Sequence, residues 1–567
     1  MDLETLRHST SHVMAAAVKK LYPDVKLGIG PAIEEGFYYD FGNLNIKEED
    51  LKNIEKEMHR IIEKDEKFIQ KSVSRKEAEK LLKNEPYKLD LLKDLEDDKI
   101  SFYYTGEFFD LCKGPHIHST KEIKAFKLTK LAGAYWRGDS DNDMLQRIYG
   151  IAFSSEKELK EYLKLLEEAE KRNHVKLGKQ LDLFSIHPEA PGMPFFHDKG
   201  TFIFNKLAEF MRKEMKKRGY EENKTPIILN KYLWERSGHW DHYKDNMYFT
   251  KIDKQDFAVK PMNCPGNLLV YKTKVRSYRD LPLKAGEFGL VHRHELSGVL
   301  NGLFRVRAFT QDDAHVFCEE EQLKDSIIEL IELCDFIYHS FKLEYEVELS
   351  TKPGKAMGSQ EIWDKAEDSL KDALATKKLK YEISEGAGAF YGPKIDFHVK
   401  DALGRKWQCG TIQVDFSMPE KFDLTYEGKD GTKHRPVMVH RAIYGSFERF
   451  IGILIEHYSG NFPLWISPIQ VIVLNLTDKN IKFCDIIVSK LKKAGIRVDS
   501  DFKAETMNKK IRNAQLQKIP YMITIGDKEE ENGTLAVRTR DGNVRFGIKP
   551  EDLIKEIAEK VENKDAN

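Results

Sequence analysis

The chain has 567 residues, 33% of them charged and 41% hydrophobic, a length that allows roughly four domains of about 150 residues each. Its 32 phenylalanines and 23 tyrosines can build packed cores, which excludes a disordered chain. With 92 basic against 93 acidic residues the net charge is -1, so any surface for a polyanion has to be a local patch.

At the N terminus, MDLETLRHST has no basic stretch followed by an apolar one, so no signal peptide is predicted. Residues 1–150 mix a helix over Leu3–Leu21, stopped by Pro23, a charged helix near Glu48–Phe68 and strand-like runs around Ile100–Tyr104. From Ser154 one long helix is predicted. Ser155 and Glu158 have capping-box spacing, and Leu159, Tyr162, Leu163 and Leu166 recur at helical period on a charged background, which reads as a connector. A Pro- and Gly-rich break follows at 187–200, then a helix over Ile203–Arg218 and a long α/β stretch to about Phe462. Beyond Pro463 and Pro468, IQVIVLNL, a helix at 480–493, IRVDSD, a helix at 503–517 and YMITIGD alternate strand and helix. They predict a small α/β domain with a parallel component. The longest apolar runs, such as Ile469–Leu474, are far too short to cross a bilayer, so no membrane partner is expected.

No G-x-x-x-x-G-K-[ST] occurs, and the Gly-rich stretch at 386–392 has the wrong spacing for a dinucleotide fingerprint. Three other segments suggest a phosphate-binding apparatus. Leu290-Val-His-Arg293-His-Glu295 reads as a strand ending in Arg and Glu two apart, on one face. Arg305-Val-Arg307-Ala-Phe309-Thr-Gln311-Asp-Asp313-Ala-His315 returns after a loop, and Gly445-Ser446-Phe-Glu-Arg449 is a break running into a helix. Arginines pair with phosphates and an aromatic can cover a purine face, although each arginine taken singly reads as an ordinary ion pair.

In order and wording, the runs R-x-E, R-x-x-F and G-S-x-E-R resemble motifs two and three of class II aminoacyl-tRNA synthetases, and KRGYEENKTP at 217–226 resembles motif one. KPMNCPGN (260–267), RVRAFTQDDAHVF (305–317), FYGPKIDF (390–397), CGTIQVDF (409–416) and VHRAIYGSFERF (439–450) resemble the threonyl-tRNA synthetase family, and the likeness runs the length of the chain. The resemblance implies an α+β multidomain protein: an N-terminal α+β editing domain at 1–152, a connecting helix at 153–180, a class II catalytic core built on an antiparallel sheet at 181–463, and a C-terminal α/β anticodon-binding domain at 464–567. The small ubiquitin-like (TGS) domain that opens many such enzymes is expected to be missing ahead of the editing region.

The family's roles fall on matching residues. The resemblance implies that Arg293 would grip the α-phosphate of ATP, Glu295 read the adenine amino group, Phe309 stack on the base, and Arg449, with Arg305 assisting, hold the γ-phosphate end, with Mg2+ expected to bridge phosphates. Gln408 is implied at ATP and at the edge of a threonine pocket lined by Met262, Gln311, Asp313, Tyr391 and Gln413, with Asp313 accepting from the ammonium. His239, in SGHW, is implied in helping the tRNA ribose hydroxyl attack the adenylate. Cys264, His315 and His440 have no metal-site spacing and by themselves read as a buried Cys and two satisfied histidines; the family makes them ligands of a Zn2+ with one open position. Two positions depart from the usual pattern: Asn267 follows CPG where His is common, and His294 sits inside R-x-E.

In the N-terminal region, His8 and His12 stand at i and i+4 on the first helix, and Cys112 and His116 have C-x3-H spacing. Read alone, four such groups suggest zinc. The family resemblance instead implies a hydrolytic site for mischarged Ser-tRNA, with Lys88 and Asp110 nearby and metal the lesser alternative. At the other end, Lys503, Lys509, Lys510, Arg512 and Lys518 cluster around one helix, and Arg538 and Arg540 are read on one strand face. The resemblance implies that Arg512, Glu529 and Arg538 read the anticodon.

The reading is a threonine–tRNA ligase using ATP, L-threonine and tRNA(Thr), a homodimer by the place of motif one, and cytoplasmic. Six cysteines in so long a chain fit reduced thiols or ligands better than a disulfide framework. The competing readings are a non-catalytic RNA-binding regulator on this scaffold, whose mark would be loss of Arg293, Arg449 or the zinc donors, and a free-standing editing hydrolase, which has no need of intact ATP motifs.

Overall fold

The computed structural model describes residues 2–564 apart from 35, 140, 402 and 403, and the chain divides into two compact units, Met1–Glu167 and Glu168–Asn567. In the first, helix Leu3–Leu21 starts at Asp2, whose carboxylate accepts the Glu4 and Thr5 N–H groups, and stops just before Pro23. It and helix Leu51–Glu63 cover a sheet of strands Lys26–Leu27, Gly36–Gly42, Met144–Phe153 and Ala125–Tyr135, closing a core of Val13, Met14, Phe37, Ile54, Met58 and Ile148. The predicted charged helix ends five residues early, at Glu63. Asp65 turns left-handed with φ 56°, and the chain enters strand Phe68–Ser74. That strand joins Lys99–Thr105 and Phe108–Leu111 in a second antiparallel sheet, which leads directly into Cys112.

The predicted connector is two helices, Glu156–Arg172 and His174–Gln180. Asn173 breaks them because its side-chain oxygen accepts the Val175 and Lys176 N–H groups and caps the second. That second helix is docked within its own unit: buried His174 bonds through Nδ1 to Glu456 at 2.8 Å and through Nε2 to the Leu303 N–H at 3.0 Å.

The second unit is organised on an eight-stranded sheet. Leu283–His292, Ala308–Cys318, Val437–Ala442, Lys406–Asp415, Lys394–Lys400 and Tyr345–Ser350 pair antiparallel in that order, and the short edge strands Glu221–Glu222 and Glu382–Ser384 add in parallel. Helices Asp198–Lys217, Leu323–Ser340, Gln360–Thr376 and Phe447–His457 bury one face through the largest core. Period-two alternation then leaves the polar face free: along Ala308–Cys318, Phe309, Gln311 and Asp313 line a cavity while Val316 and Cys318 join the core. The last hundred residues form a sheet in the order Val498–Asp501, Val471–Asn475, Tyr521–Ile525, Leu535–Thr539, Val544–Ile548, parallel over the first three strands. Ile481–Lys493 and Pro550–Glu562 pack on one face and Met507–Leu516 on the other. Among the described residues no helix is long and apolar enough to cross a membrane.

Candidate functional site

A cavity of about 520 Å³ opens on the polar face of the eight-stranded sheet. Of the residues singled out for ATP, threonine and metal, all reach its wall except His315 and His239. The strand expected to carry Arg293 and Glu295 ends before both of them, at His292. Both residues stand in the following loop, where the Arg293 N–H is held by the Arg307 carbonyl at 2.8 Å. The Arg293 guanidinium lies 5.0 Å from the centre of the Phe309 ring. Arg305 Nη2 pairs with Glu295 Oε2 at 2.9 Å. Arg449 is fixed by the Phe304 and Gln408 carbonyls at 2.9 and 2.7 Å, and burial, with Arg293 and Arg305 close by, pulls its guanidinium pKa down. Three arginines converging on one space are a binding place for polyphosphate.

The turn before Arg449 has a local cause. Gly445 takes φ 74°, where a Cβ would lie 2.5 Å from the Cys409 carbonyl oxygen, and Ser446 Oγ accepts the Arg449 N–H at 3.1 Å to start helix Phe447–His457. Glu448, 4% exposed, accepts the Thr310 N–H on both carboxylate oxygens. Burial pushes its pKa up to about 8.

Beside the cavity, Cys264, His315 and His440 bring their donor atoms within 4.8 Å of one another. The two histidines are direct cross-strand partners, and Cys264 opens the helix Cys264–Tyr271. His315 is 0% exposed, yet both its ring nitrogens lack a hydrogen-bond partner, as does His440 Nδ1. Burial, with Asp313 and Asp415 near, pushes the Cys264 thiol well above its usual range. Three orphaned imidazole nitrogens around a buried sulfur are costly without a cation, and the set matches zinc's preference for N and S donors. Asp313, 7% exposed, faces the same space; it accepts from Asn263 Nδ2 at 3.2 Å, and burial pushes it up to about 6.

His239 departs from its expected place. It is 0% exposed, bonded through Nδ1 to Ser237 Oγ, and its Nε2 is covered by Met262 Sδ at 2.9 Å. It therefore stands behind the wall that Met262 forms. Asn267 is likewise no pocket residue: it bonds Asn223 and reaches toward Glu287, whose buried carboxylate pairs with Lys260 at 2.9 Å. A further set of donor groups, Glu348, Asp396 and His398, lies on the same sheet. There Asp396 is already neutralised by Lys394 at 2.6 Å and accepts from Gln408 and Thr411, so it braces three wall residues. Sequence reasoning missed Asn263, Asp396 and Asp415, and no spacing signal marks them.

In the first unit all four predicted groups converge. Cys112 Sγ lies 3.4 Å from His8 Nε2 and 3.3 Å from His116 Nε2, and the ring of His12 is 4.4 Å from that of His116. Ser9, unnoticed in the sequence, sets a tautomer. Its hydroxyl proton goes to the Thr5 carbonyl, so His116 Nδ1 must donate to it at 3.0 Å, leaving Nε2 as an acceptor for the thiol. Burial pushes Cys112 up to about 11 and, with His12 and His8 adding, drops His116 to about 2. Thiol and imidazole are therefore neutral together at physiological pH. Asp110 is held by Lys88 at 2.6 Å and by Tyr39 at 2.5 Å, beside a cavity of about 400 Å³.

The C-terminal candidates sit on separate elements: exposed Arg512 on Met507–Leu516, Glu529 on Asp527–Asn532 and Arg538 on Leu535–Thr539. Two neighbours are corrected. Lys510 is buried with Nζ on the Asn475 side chain and carbonyl. Arg540 lies past the strand end, bound to the Lys518 and Phe462 carbonyls, so both are structural cations.

Sequence models of three families match in the same order: the threonyl and alanyl tRNA synthetase second additional domain at 100–149, the tRNA synthetase class II core domain (G, H, P, S and T) at 248–458, and an anticodon binding domain at 470–560. The chain is 56% identical over 566 residues to the threonine–tRNA ligase of Acetivibrio thermocellus, covering 99% of this chain and 89% of that one. It is 58% identical over 569 residues to that of Carboxydothermus hydrogenoformans, covering 98% and 89%. The chain belongs to the threonine–tRNA ligase family. Among solved structures, the RNA binding domain of threonyl-tRNA synthetase from Cryptosporidium parvum Iowa II aligns with a TM-score of 0.66 at 40% identity, over 68% of this chain and 98% of that one. The matches place the cavity of three arginines in a class II core and Cys112 and His116 within the second additional domain, with His8 and His12 ahead of it.

Proposed function

We propose that the protein activates L-threonine with ATP and transfers the threonyl group to tRNA(Thr), and that its N-terminal site hydrolyses Ser-tRNA(Thr). The observation that carries this is the meeting, on the wall of one cavity, of Arg293, Arg305 and Arg449 with Cys264 and His440, behind which buried His315 completes the donor set. Arg293 places positive charge where the α-phosphate gains charge as the threonine carboxylate attacks; Arg449 and Arg305 hold the outer phosphates, where Mg2+ arriving with ATP would neutralise further charge. Phe309 offers a face to adenine, and Glu295, released from Arg305, accepts its amino group. Gln408 stands where ATP and amino acid meet, and Met262, Gln311, Tyr391 and Gln413 shape the amino-acid end, where Asp313 accepts from the ammonium. The two histidines and the cysteine would hold zinc, which when bound would supply a Lewis-acidic position for the amino group and side-chain hydroxyl together. A shape-only pocket separates threonine from its isostere valine by only about 100-fold, whereas a site that must be satisfied by a hydroxyl rejects valine far more strongly.

Serine keeps the hydroxyl and lacks one methyl, a difference of about 1–3 kcal/mol. Hydrolysis at His8, His12, Cys112 and His116, with Lys88 and Asp110 beside them, supplies the remaining accuracy. The imidazoles, that of His116 with its tautomer fixed by Ser9, suit proton transfer to and from water. Arg512, Glu529 and Arg538 are assigned to the anticodon. We read the protein as a cytoplasmic homodimer, the free state of all six cysteines fitting a reducing compartment.

ATP–pyrophosphate exchange tests this with threonine, serine and valine side by side. Strong exchange with threonine, weaker with serine and negligible with valine is the expected result. Brisk valine exchange would overturn the hydroxyl-reading zinc account, and no exchange with any of the three would overturn the enzyme.

A further inference from the structure

His440 turns one ring nitrogen to the donor set and the other to a carboxylate. Its Nε2 lies 2.9 Å from Asp415 Oδ2, and Nδ1 has no hydrogen-bond partner. The pair is sealed from solvent, with Asp415 0% and His440 6% exposed. A carboxylate only accepts, so Nε2 carries the proton of the neutral ring and the free lone pair sits on Nδ1.

Asp415 is itself pinned. Its Oδ1 accepts the Ser417 and Met418 N–H groups at 2.7 and 2.9 Å, starting the short helix Ser417–Lys421 and leaving Oδ2 for the ring. Register makes the contact obligatory: Gln413 stands opposite His440 and Asp415 opposite Met438, so Asp415 is the diagonal neighbour on the same sheet face. His315 has no comparable support, since neither of its nitrogens is held. Asp313 Oδ1 lies 4.0 Å from His315 Nε2, beyond hydrogen-bond reach, so of the two imidazoles His440 alone is hydrogen-bonded to a carboxylate.

We infer that Asp415 is a positioning residue: it fixes the tautomer and angle of His440 so that Nδ1 is the metal donor. The inference rests on the zinc reading above. Metal-bound histidines that hand their second nitrogen to a carboxylate become more basic ligands, and loss of such a partner weakens metal binding by about 10–100-fold. Asp415→Asn is the sharpest probe. Its oxygen can still cap the helix, but its amide presents N–H to Nε2. The ring must then accept there and carry its proton on Nδ1, which closes the donor lone pair.

The experiment is chelator competition for zinc on the full chain, with the visible spectrum after Co2+ loading as a second readout. Asp415→Asn should bind zinc about 10–100-fold more weakly and change the cobalt spectrum, while metal-free protein unfolds at the wild-type temperature. Asp415→Ser, which keeps a capping oxygen and cannot reach the ring, should lose a similar factor, so a misfolded Asn variant leaves the inference testable. Wild-type affinity and spectrum in a folded variant would overturn it. A wild-type chain that takes up no zinc, or holds it equally well after His440→Ala, would overturn the zinc reading and this inference together.

Discussion

Glu448 offers a stability test that needs no substrate. The side chain is 4% exposed and accepts the Thr310 N–H at 3.1 and 2.9 Å; burial moves its pKa from 4.5 to about 8. In the unfolded chain the same carboxyl ionises near 4.3, so between about pH 4.5 and 8 the folded protein holds a proton that the unfolded chain has released. Stability from this group is therefore greatest below pH 4.5 and is lost as pH rises through 8. A rise of some 3.5 units corresponds to about 4–5 kcal/mol across the full window, and about 3 kcal/mol of it is already spent at pH 7. Glu448→Gln keeps an acceptor for Thr310 and removes the ionisation. The variant should match wild type near pH 5 and become progressively more stable toward pH 8, by up to a few kcal/mol. The assay is the urea midpoint of the catalytic-core transition between pH 5 and 8.5, followed by tryptophan fluorescence and circular dichroism. A wild-type-minus-variant difference that stays flat across that range would refute the argument, because a group with an ordinary pKa has no linkage there.

Arg449→Ala should lower kcat/KM for threonine activation by about 100- to 1000-fold, the loss typical of a preorganised charge at a reacting centre, while zinc content stays unchanged; zinc loss would show that the arginine serves the fold instead. His12→Ala should abolish hydrolysis of Ser-tRNA(Thr) and leave threonine activation within about two-fold, since a lost general acid–base group costs about 100- to 10,000-fold at its own site only; equal loss of both activities would reject separate sites. Arg512→Ala should raise KM for tRNA(Thr) by roughly 10-fold or more, as a lost base contact costs about 1–3 kcal/mol, without altering pyrophosphate exchange. Equal KM for tRNA would remove Arg512 from anticodon reading.

Motifs carried in one contiguous run were legible in the sequence; sites assembled by strand pairing were not. Gly445-Ser446-Phe-Glu-Arg449 shows its turn and helix start in the residue types themselves, and the structure supplies the crowded carbonyl and the capping bond. The Cys264, His315 and His440 donor set is opaque for a definite reason. His315 and His440 lie 125 residues apart and meet because two antiparallel strands place them in direct register. The Asp415 contact is a diagonal of the next strand pair, so a pattern search along the chain has nothing to find. Errors came from the same source. Arg293 and Glu295 were placed on a strand by alternation, whereas the ladder ends at His292 and the two residues reach the cavity from a loop. Lys510 and Arg540 looked like solvent-facing cations, and only tertiary packing shows their charges turned onto backbone carbonyls.

The two histidine–cysteine clusters look alike in composition and differ in what their nitrogens do. In the catalytic unit three imidazole nitrogens are buried and unsatisfied, a cost the fold bears only if something else completes them. In the N-terminal unit three of the four groups meet one another: the Ser9 oxygen accepts from His116 Nδ1, whose other nitrogen meets the Cys112 thiol, and His8 Nε2 lies against the same sulfur. A set with buried, unpartnered nitrogens suits holding a cation that would read a hydroxyl and amine, and a set whose members hydrogen-bond one another suits moving protons. Threonine requires both kinds. Its hydroxyl separates it from valine, which an open coordination position can sense. Its extra methyl separates it from serine by too little for binding alone, and only a second, hydrolytic site can correct that remainder.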